Sequence, residues 1–250
     1  MTTAPAFHPP IPPGARRAIL FGGSFDPVHR GHVALPARVR EHVGADLVVY
    51  IPAARSPFKR SSPTASGDER VEMLRLALEP EPALSGRWTV CDAELRRSRD
   101  APTEPSYTVE TLESLAADGP LAGLERRLLI GADQAASFHR WKSASRIVEL
   151  AEPVVMLRTP AEDAEPMIAE LAEHWPASEV ARWRERIVPT PTIDVSATQV
   201  RDRLARDPRD PGLDELVPPA ALAFIRERGL YSGSPDGGDS SETSGSPPSA

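Results

Sequence analysis

The feature that most limits what this chain can fold into lies between residues 18 and 32. Ala18, Ile19, Leu20 and Phe21 form a short apolar run, bounded by Arg16 and Arg17 before it and by Gly22 and Gly23 after it. Apolar at every position and closed by glycines, such a run is the pattern of a strand buried on both faces of a parallel sheet. The glycine turn lets a phosphate approach the backbone. Pro27 presets φ ahead of a helical segment starting near Gly31, so N–H groups and a positive helix end face the top of the strand. His29 and His32, three apart, share one face of that helix start. Strand, glycine turn, helix N-terminus and paired histidines together read as a nucleotide-phosphate site that includes Gly22, Gly23, Ser24 and Phe25.

Composition narrows the setting. At 250 residues and 40% hydrophobic content the chain supports one sizeable α/β core. A net charge of −7 carries no basic excess, which argues against nucleic acid and membrane surfaces as partners, so an anion must be held locally. The single cysteine, Cys91, excludes an internal disulfide and a cysteine-rich zinc site. No apolar stretch approaches the roughly 18–20 residues that span a bilayer, and the N-terminus lacks a secretory h-region, so the expected location is cytoplasmic. Residues 1–15 are proline-rich and residues 232–250 are nearly all Ser, Gly, Pro and acidic. Both are expected to be disordered tails around a domain at 16–231, because neither can bury enough apolar surface to offset its ordering entropy.

Between the tails, apolar runs alternate with amphipathic segments. Strands are expected at 18–21, 47–51, 88–91, 128–130 and 154–157, with helices at 32–43, 68–78, 109–117, 164–175, 200–206 and 220–228. Ser66 with Glu69 fits a capping box, and Gly119 and Gly229 stand where helices end. This alternation predicts a single-domain α/β fold, a Rossmann-like doubly wound parallel sheet. Ligands then bind beyond the carboxyl ends of the strands, which puts Gly22 to His32, Gly131 to Gln134 and Pro52 to Arg55 on one rim.

A second anion element follows near the C-terminal side. An edge-like strand at 193–195 leads into a helix whose Ser196 and Gln199 are spaced as a capping box, with Thr198 in its first turn and Arg201 one turn inside. Arginine supplies a permanent charge and a planar fork that matches phosphate oxygens.

The run from Gly22 to His32 resembles the first signature of the HxGH nucleotidyltransferase superfamily, and Ser196 to Arg201 resembles its second. Pro105 to Leu112, Ile130 to Gln134 with Phe138, Trp141 and Lys142, and Leu216 to Tyr231 are similar, in order and approximate spacing, to the bacterial nicotinate-nucleotide adenylyltransferase family. The resemblance implies adenylyl transfer from ATP to nicotinate mononucleotide, giving deamido-NAD and pyrophosphate. It implies that His29, His32 and Arg201 are catalytic, and that Lys59, Asp133, Ser196 and Thr198 serve ATP. Tyr107, Thr108 and Trp141 would enclose the pyridine ring, where a flat aromatic gains contact area. Read without the resemblance, Trp141 is a half-buried packing residue, Asp133 a helix cap, Arg201 a solvated arginine on a capped helix and Lys59 a solvated loop lysine.

Mg²⁺ is expected to arrive with ATP, since no carboxylate cluster near these motifs suggests a metal cage. Alternatives are nicotinamide mononucleotide or another phosphorylated acceptor, and a nucleotide-binding protein without catalysis. Three departures from the family motivate the last: Phe58 replaces a histidine, Ala197 a Ser/Thr, and Pro36 lies inside the helix that carries His32. A proline there costs about 3 kcal/mol, so that helix is expected either to kink or to begin late.

Overall fold

The strand predicted at 18–21 is β2 (Arg17–Gly23) and stands at the centre of a seven-stranded sheet. The computed structural model describes residues 6–54, 63–101, 105–117, 120–159 and 163–233. With β1 (Phe7–His8), β3 (Leu47–Pro52), β4 (Trp88–Cys91), β5 (Glu125–Gly131), β6 (Glu152–Thr159) and β7 (Ile187–Pro191), the sheet order is β1-β4-β3-β2-β5-β6-β7. All neighbours pair parallel except β1 with β4. Leaving aside β1, this is the doubly wound order, and the winding reverses between β2 and β5.

Side chains along β2 obey the strand period of two. Ile19 and Phe21 enter one apolar layer and Ala18 and Leu20 the other. Each layer is closed by helices. The first receives α1 (Arg30–His42), α2 (Gly67–Leu78), α9 (Ala197–Arg206), α10 (Leu213–Leu216) and α11 (Pro219–Arg228). The second receives α4 (Thr108–Ala117), α6 (Ala144–Leu150), α7 (Glu165–His174) and α8 (Ala177–Glu185), with α3 (Ala93–Asp100) and α5 (Ala132–Ala136) at the rim. Cys91 is buried, with its thiol pushed up to about 12 by desolvation, in keeping with a packing role.

Several boundaries differ from expectation for identifiable reasons. Residues 6–15, expected to be part of a tail, are folded against the domain. Phe7 and His8 pair with Cys91 and Val90, Ala6 N–H donates to Asp92 Oδ1 at 2.8 Å, and Phe7 and Ile11 pack on the core. The segment covers what would otherwise be the bare edge of β4. Residues 234–250 lie outside the described residues, as does Gly119.

The C-terminal edge strand is at Ile187–Pro191 rather than 193–195. Pro189 and Pro191 disguise it, yet an edge strand tolerates proline where its N–H would face solvent, and both residues are exposed. Helix α1 begins at Arg30, earlier and not later than Pro36 suggested, and runs on past the proline. Pro36 is itself buried between Val33 and Ala37, so its apolar ring packs where its missing N–H forfeits the bond to the His32 carbonyl.

Candidate active site

His29 is the N-cap of α1, with extended backbone at φ −141° and ψ 170°. Its N–H donates to Nδ1 of His32 at 3.2 Å. His32 therefore takes the place that Glu or Gln occupies in a capping box. Because Nδ1 accepts, the neutral ring of His32 carries its proton on Nε2. The two imidazoles stack, 3.6 Å between centroids and 21° between planes. Burial lowers the pKa of His29 from its ordinary 6.5 to about 4, so it is neutral at pH 7. Its Nδ1 finds no hydrogen-bond partner among the described residues. Gly31 is favoured by tight packing: a Cβ there would lie 3.2 Å from the His29 ring and 3.3 Å from Val195 Cγ1.

Phe25 holds a left-handed backbone, φ 49°, which turns its ring inward. There it meets His32 edge to face at 4.9 Å and Phe21 at 5.6 Å. Phe25, expected among the phosphate-binding residues, turns its side chain into the interior as the buried backing of His32, 1% exposed. Gly23 makes room for it, since a Cβ would fall 2.9 Å from that ring. Gly22, by contrast, has nothing within 4 Å of a would-be Cβ and faces open space.

Asp26, inside the first motif but given no role from sequence, is the structural hub. Its buried carboxylate accepts the N–H of Thr64 at 2.7 Å, the N–H of Ala65 at 3.0 Å and the hydroxyl of Tyr231 at 2.7 Å. Tyr231 thereby ties the end of the domain to the start of α1, some 205 residues away in sequence. Arg70, also buried, donates from one guanidinium nitrogen to the carbonyls of Ser24 and Ala53, both at 2.8 Å. It joins the ends of β2 and β3. A buried arginine in a helix has no distinguishing sequence signal, and the stretch ending in Tyr231 carries a family likeness without revealing that its hydroxyl meets Asp26.

The second element docks on the first. Ser196 caps α9 as expected, with Gln199 N–H donating to Ser196 Oγ at 3.1 Å. Arg201 donates to the backbone carbonyl of Asp26 at 2.7 Å and to Thr198 Oγ1 at 3.2 Å. Ala197, where a hydroxyl was missing, is simply the first residue of α9.

On the other side of the Gly22–Gly23 turn a cavity of about 450 Å³ opens between the ends of β2, β3 and β5, where the winding of the sheet reverses. Gly22, Gly23, Ser24, Tyr107, Thr108 and Trp141 all line it. Trp141 is half-buried and leans on Phe138, ring centroids 5.1 Å apart. Lys142 Nζ sits 4.3 Å above the Tyr107 ring and pairs with Glu110 at 2.6 Å. Glu94, missed from sequence, also lines the cavity; Thr111 Oγ1 donates to it at 3.1 Å, and burial raises its pKa. Asp133 does not join this lining. It is exposed in the first turn of α5, and Gln134 beside it faces the cavity instead. Lys59, Phe58, Arg55 and Arg60 fall outside the described residues.

The cytidylyltransferase-like family model matches residues 20–203. A relative from Chromobacterium violaceum, named as a probable nicotinate-nucleotide adenylyltransferase, is 35% identical over 223 residues, 86% of this chain and 98% of its own length. A second from Gloeobacter violaceus, with the same name, is 34% identical over 85% of this chain and 94% of its own. Among solved structures, the Plasmodium falciparum nicotinic acid mononucleotide adenylyltransferase complexed with NaAD superposes with a TM-score of 0.64 at 14% identity. That likeness spans 86% of this chain and 97% of the other, and shows the shared fold.

Proposed function

The chain belongs to the nicotinate-nucleotide adenylyltransferase family within the cytidylyltransferase-like group, and we propose that it transfers the adenylyl group of ATP to nicotinate mononucleotide. The products are deamido-NAD and pyrophosphate, a step of NAD biosynthesis that we assign to the cytoplasm. One observation carries the reading: the second motif is clipped to the first through Arg201 and the Asp26 carbonyl, next to a cavity lined by Tyr107, Thr108 and Trp141.

In this reaction a phosphate oxygen of nicotinate mononucleotide attacks the α-phosphorus of ATP. A new P–O bond forms as the bond to the bridging oxygen breaks, and pyrophosphate leaves with the electron pair. No covalent enzyme intermediate is needed, so catalysis is positioning and charge stabilisation. In this reading the Nε2 proton of His32 points its hydrogen bond toward the phosphates, and His29, neutral when free, becomes a stronger donor as an anion draws a proton onto it. The N-termini of α1 and α9 add backbone donors. Arg201 sets the distance between the two halves of the site and lends its charge. Ser196, Thr198, Asp133 and Lys59 are assigned to ATP, with Gly22 and Gly23 keeping the turn open to it. Thr108 and the Tyr107 and Trp141 rings enclose the pyridine. The Asp26 carboxylate, already accepting three hydrogen bonds, is a poor metal ligand. A divalent ion, proposed as Mg²⁺, would then be carried by the ATP phosphates and would offset their charge during transfer.

The test is pyrophosphate release from ATP with nicotinate mononucleotide, nicotinamide mononucleotide or phosphopantetheine supplied separately. The expected result is a clear preference for the nicotinate form. Preference for the amide would replace the acceptor, and ATP binding without release under all three would overturn the enzymatic reading.

A further inference from the structure

We propose that His139, Glu170 and His174 form a binding site for a divalent transition-metal ion, best matched by Zn²⁺, behind the cavity wall that carries Trp141. Helix α7 presents Glu170 and His174 four residues apart, hence on one face. His139 comes from a short 3₁₀ helix, Phe138–Arg140, brought against that face by the packing of α5 and its following turn on α7. One donor atom from each of the three residues lies within 4.8 Å of the others. His174 Nε2 is 3.5 Å from Glu170 Oε1, and the His139 and His174 rings stack with centroids 3.7 Å apart. A stack and a long ion pair leave this cluster short of strong partners. His139 Nδ1 is shielded from solvent and has no hydrogen-bond partner among the described residues.

The donor chemistry selects the ion. Two imidazole nitrogens with one carboxylate make a borderline-soft set that favours zinc, whereas Mg²⁺ and Ca²⁺ prefer oxygen throughout. Three protein ligands leave one tetrahedral position for water. An open cleft of about 610 Å³ lined by Ala136, Ser137, His139, Met167 and Glu170 gives an entry path. The site lies apart from the ATP-borne ion, and its existence does not depend on the adenylyl-transfer reading. Its effect would reach the cavity all the same. Phe138, one residue before His139, is buried against Trp183 and Trp175, and Trp141, two residues after, lines the cavity. An ion bridging His139 to α7 pins this turn and with it the Trp141 wall.

The test uses the untagged full-length protein, stripped with a chelator and desalted. Zn²⁺ titration by calorimetry should saturate at one ion per chain and raise the thermal midpoint. Co²⁺ should give the visible absorption bands of a four- or five-coordinate ion. His139→Ala and His174→Ala should each weaken binding by at least about tenfold, as ligand loss costs no less than loss of an outer partner. Glu170→Gln, which keeps the side-chain shape, should do so in a protein of unchanged fold. No saturable Zn²⁺ binding, no Co²⁺ bands, or the same affinity in Glu170→Gln and in His139→Ala with His174→Ala would overturn the proposal.

Discussion

At the histidine end of the cleft the side chains pack tightly on one another, whereas beyond Gly23 the rings and paired charges border an open cavity. His32 accepts the N–H of His29 and stacks on its ring, Arg201 holds the Asp26 carbonyl, and the Asp26 carboxylate accepts three hydrogen bonds. Across the turn, Tyr107, Thr108, Trp141 and Lys142 line about 450 Å³. The contrast teaches that the two substrates place different demands on the fold. A phosphate is small and highly charged, and its site gains from donors locked in place before it arrives. A flat ring is held mainly by contact area, which calls for room and for walls that close upon it.

Three variants probe that difference, beginning with the largest expected effect. Replacing His32 by Ala removes a preorganised donor and should lower kcat by about 10²–10³-fold, while circular dichroism stays near wild type and stability falls by no more than the loss of a helix cap, about 1–2 kcal/mol. Near-normal turnover in folded protein would show that the histidine end is structural only.

The second concerns pH. With the pKa of His29 lowered from 6.5 to about 4, the unfolded chain takes up a proton below 6.5 that the native state refuses until about 4. Stability contributed by the neutral buried ring is thus complete above 6.5 and falls as pH drops toward 4, by about 3 kcal/mol at most. His29→Gln should flatten that part of the denaturation-versus-pH curve and leave the part above pH 7 parallel to wild type. An unchanged slope between pH 6.5 and 4 would mean that the ring titrates freely and that the closed character of this end has been overstated.

The smallest effect belongs to the open side. Trp141→Ala removes one wall and should raise KM for nicotinate mononucleotide by about tenfold, the value of a lost aromatic contact, with KM for ATP little changed. A matching rise for ATP would mean that the cavity and the phosphate end are one site, not two.

How much was legible follows the same division. The capping boxes at Ser66 and Ser196, the HxGH turn and the central strand all depend on residues within a few positions of each other, and sequence reads such patterns directly. Glu94, Arg70 and Tyr231 were not found, because each acts through a partner 17 or more positions away: Glu94 with Thr111, Arg70 with Ala53, Tyr231 with Asp26. Phe25 lies in the expected segment, but its ring turns inward onto His32, and Asp133 stands exposed at the start of α5 outside the cavity lining; side-chain direction is set by packing that sequence does not show. Residues 6–15 looked like a tail because proline dominates their composition, while what orders them is the edge of β4 and the few apolar side chains among the prolines.

The chain alone determined that a parallel sheet would present a glycine turn and a capped helix at one strand end, since glycine conformation, capping and the period of two act over a handful of residues. Only the tertiary structure decided that His29 is neutral and His32 aimed by its neighbour, that Asp26 gathers the domain's last tyrosine, and that a cavity opens where the winding reverses. Burial and long-range hydrogen bonds set those properties, and both arise when distant segments exclude water together.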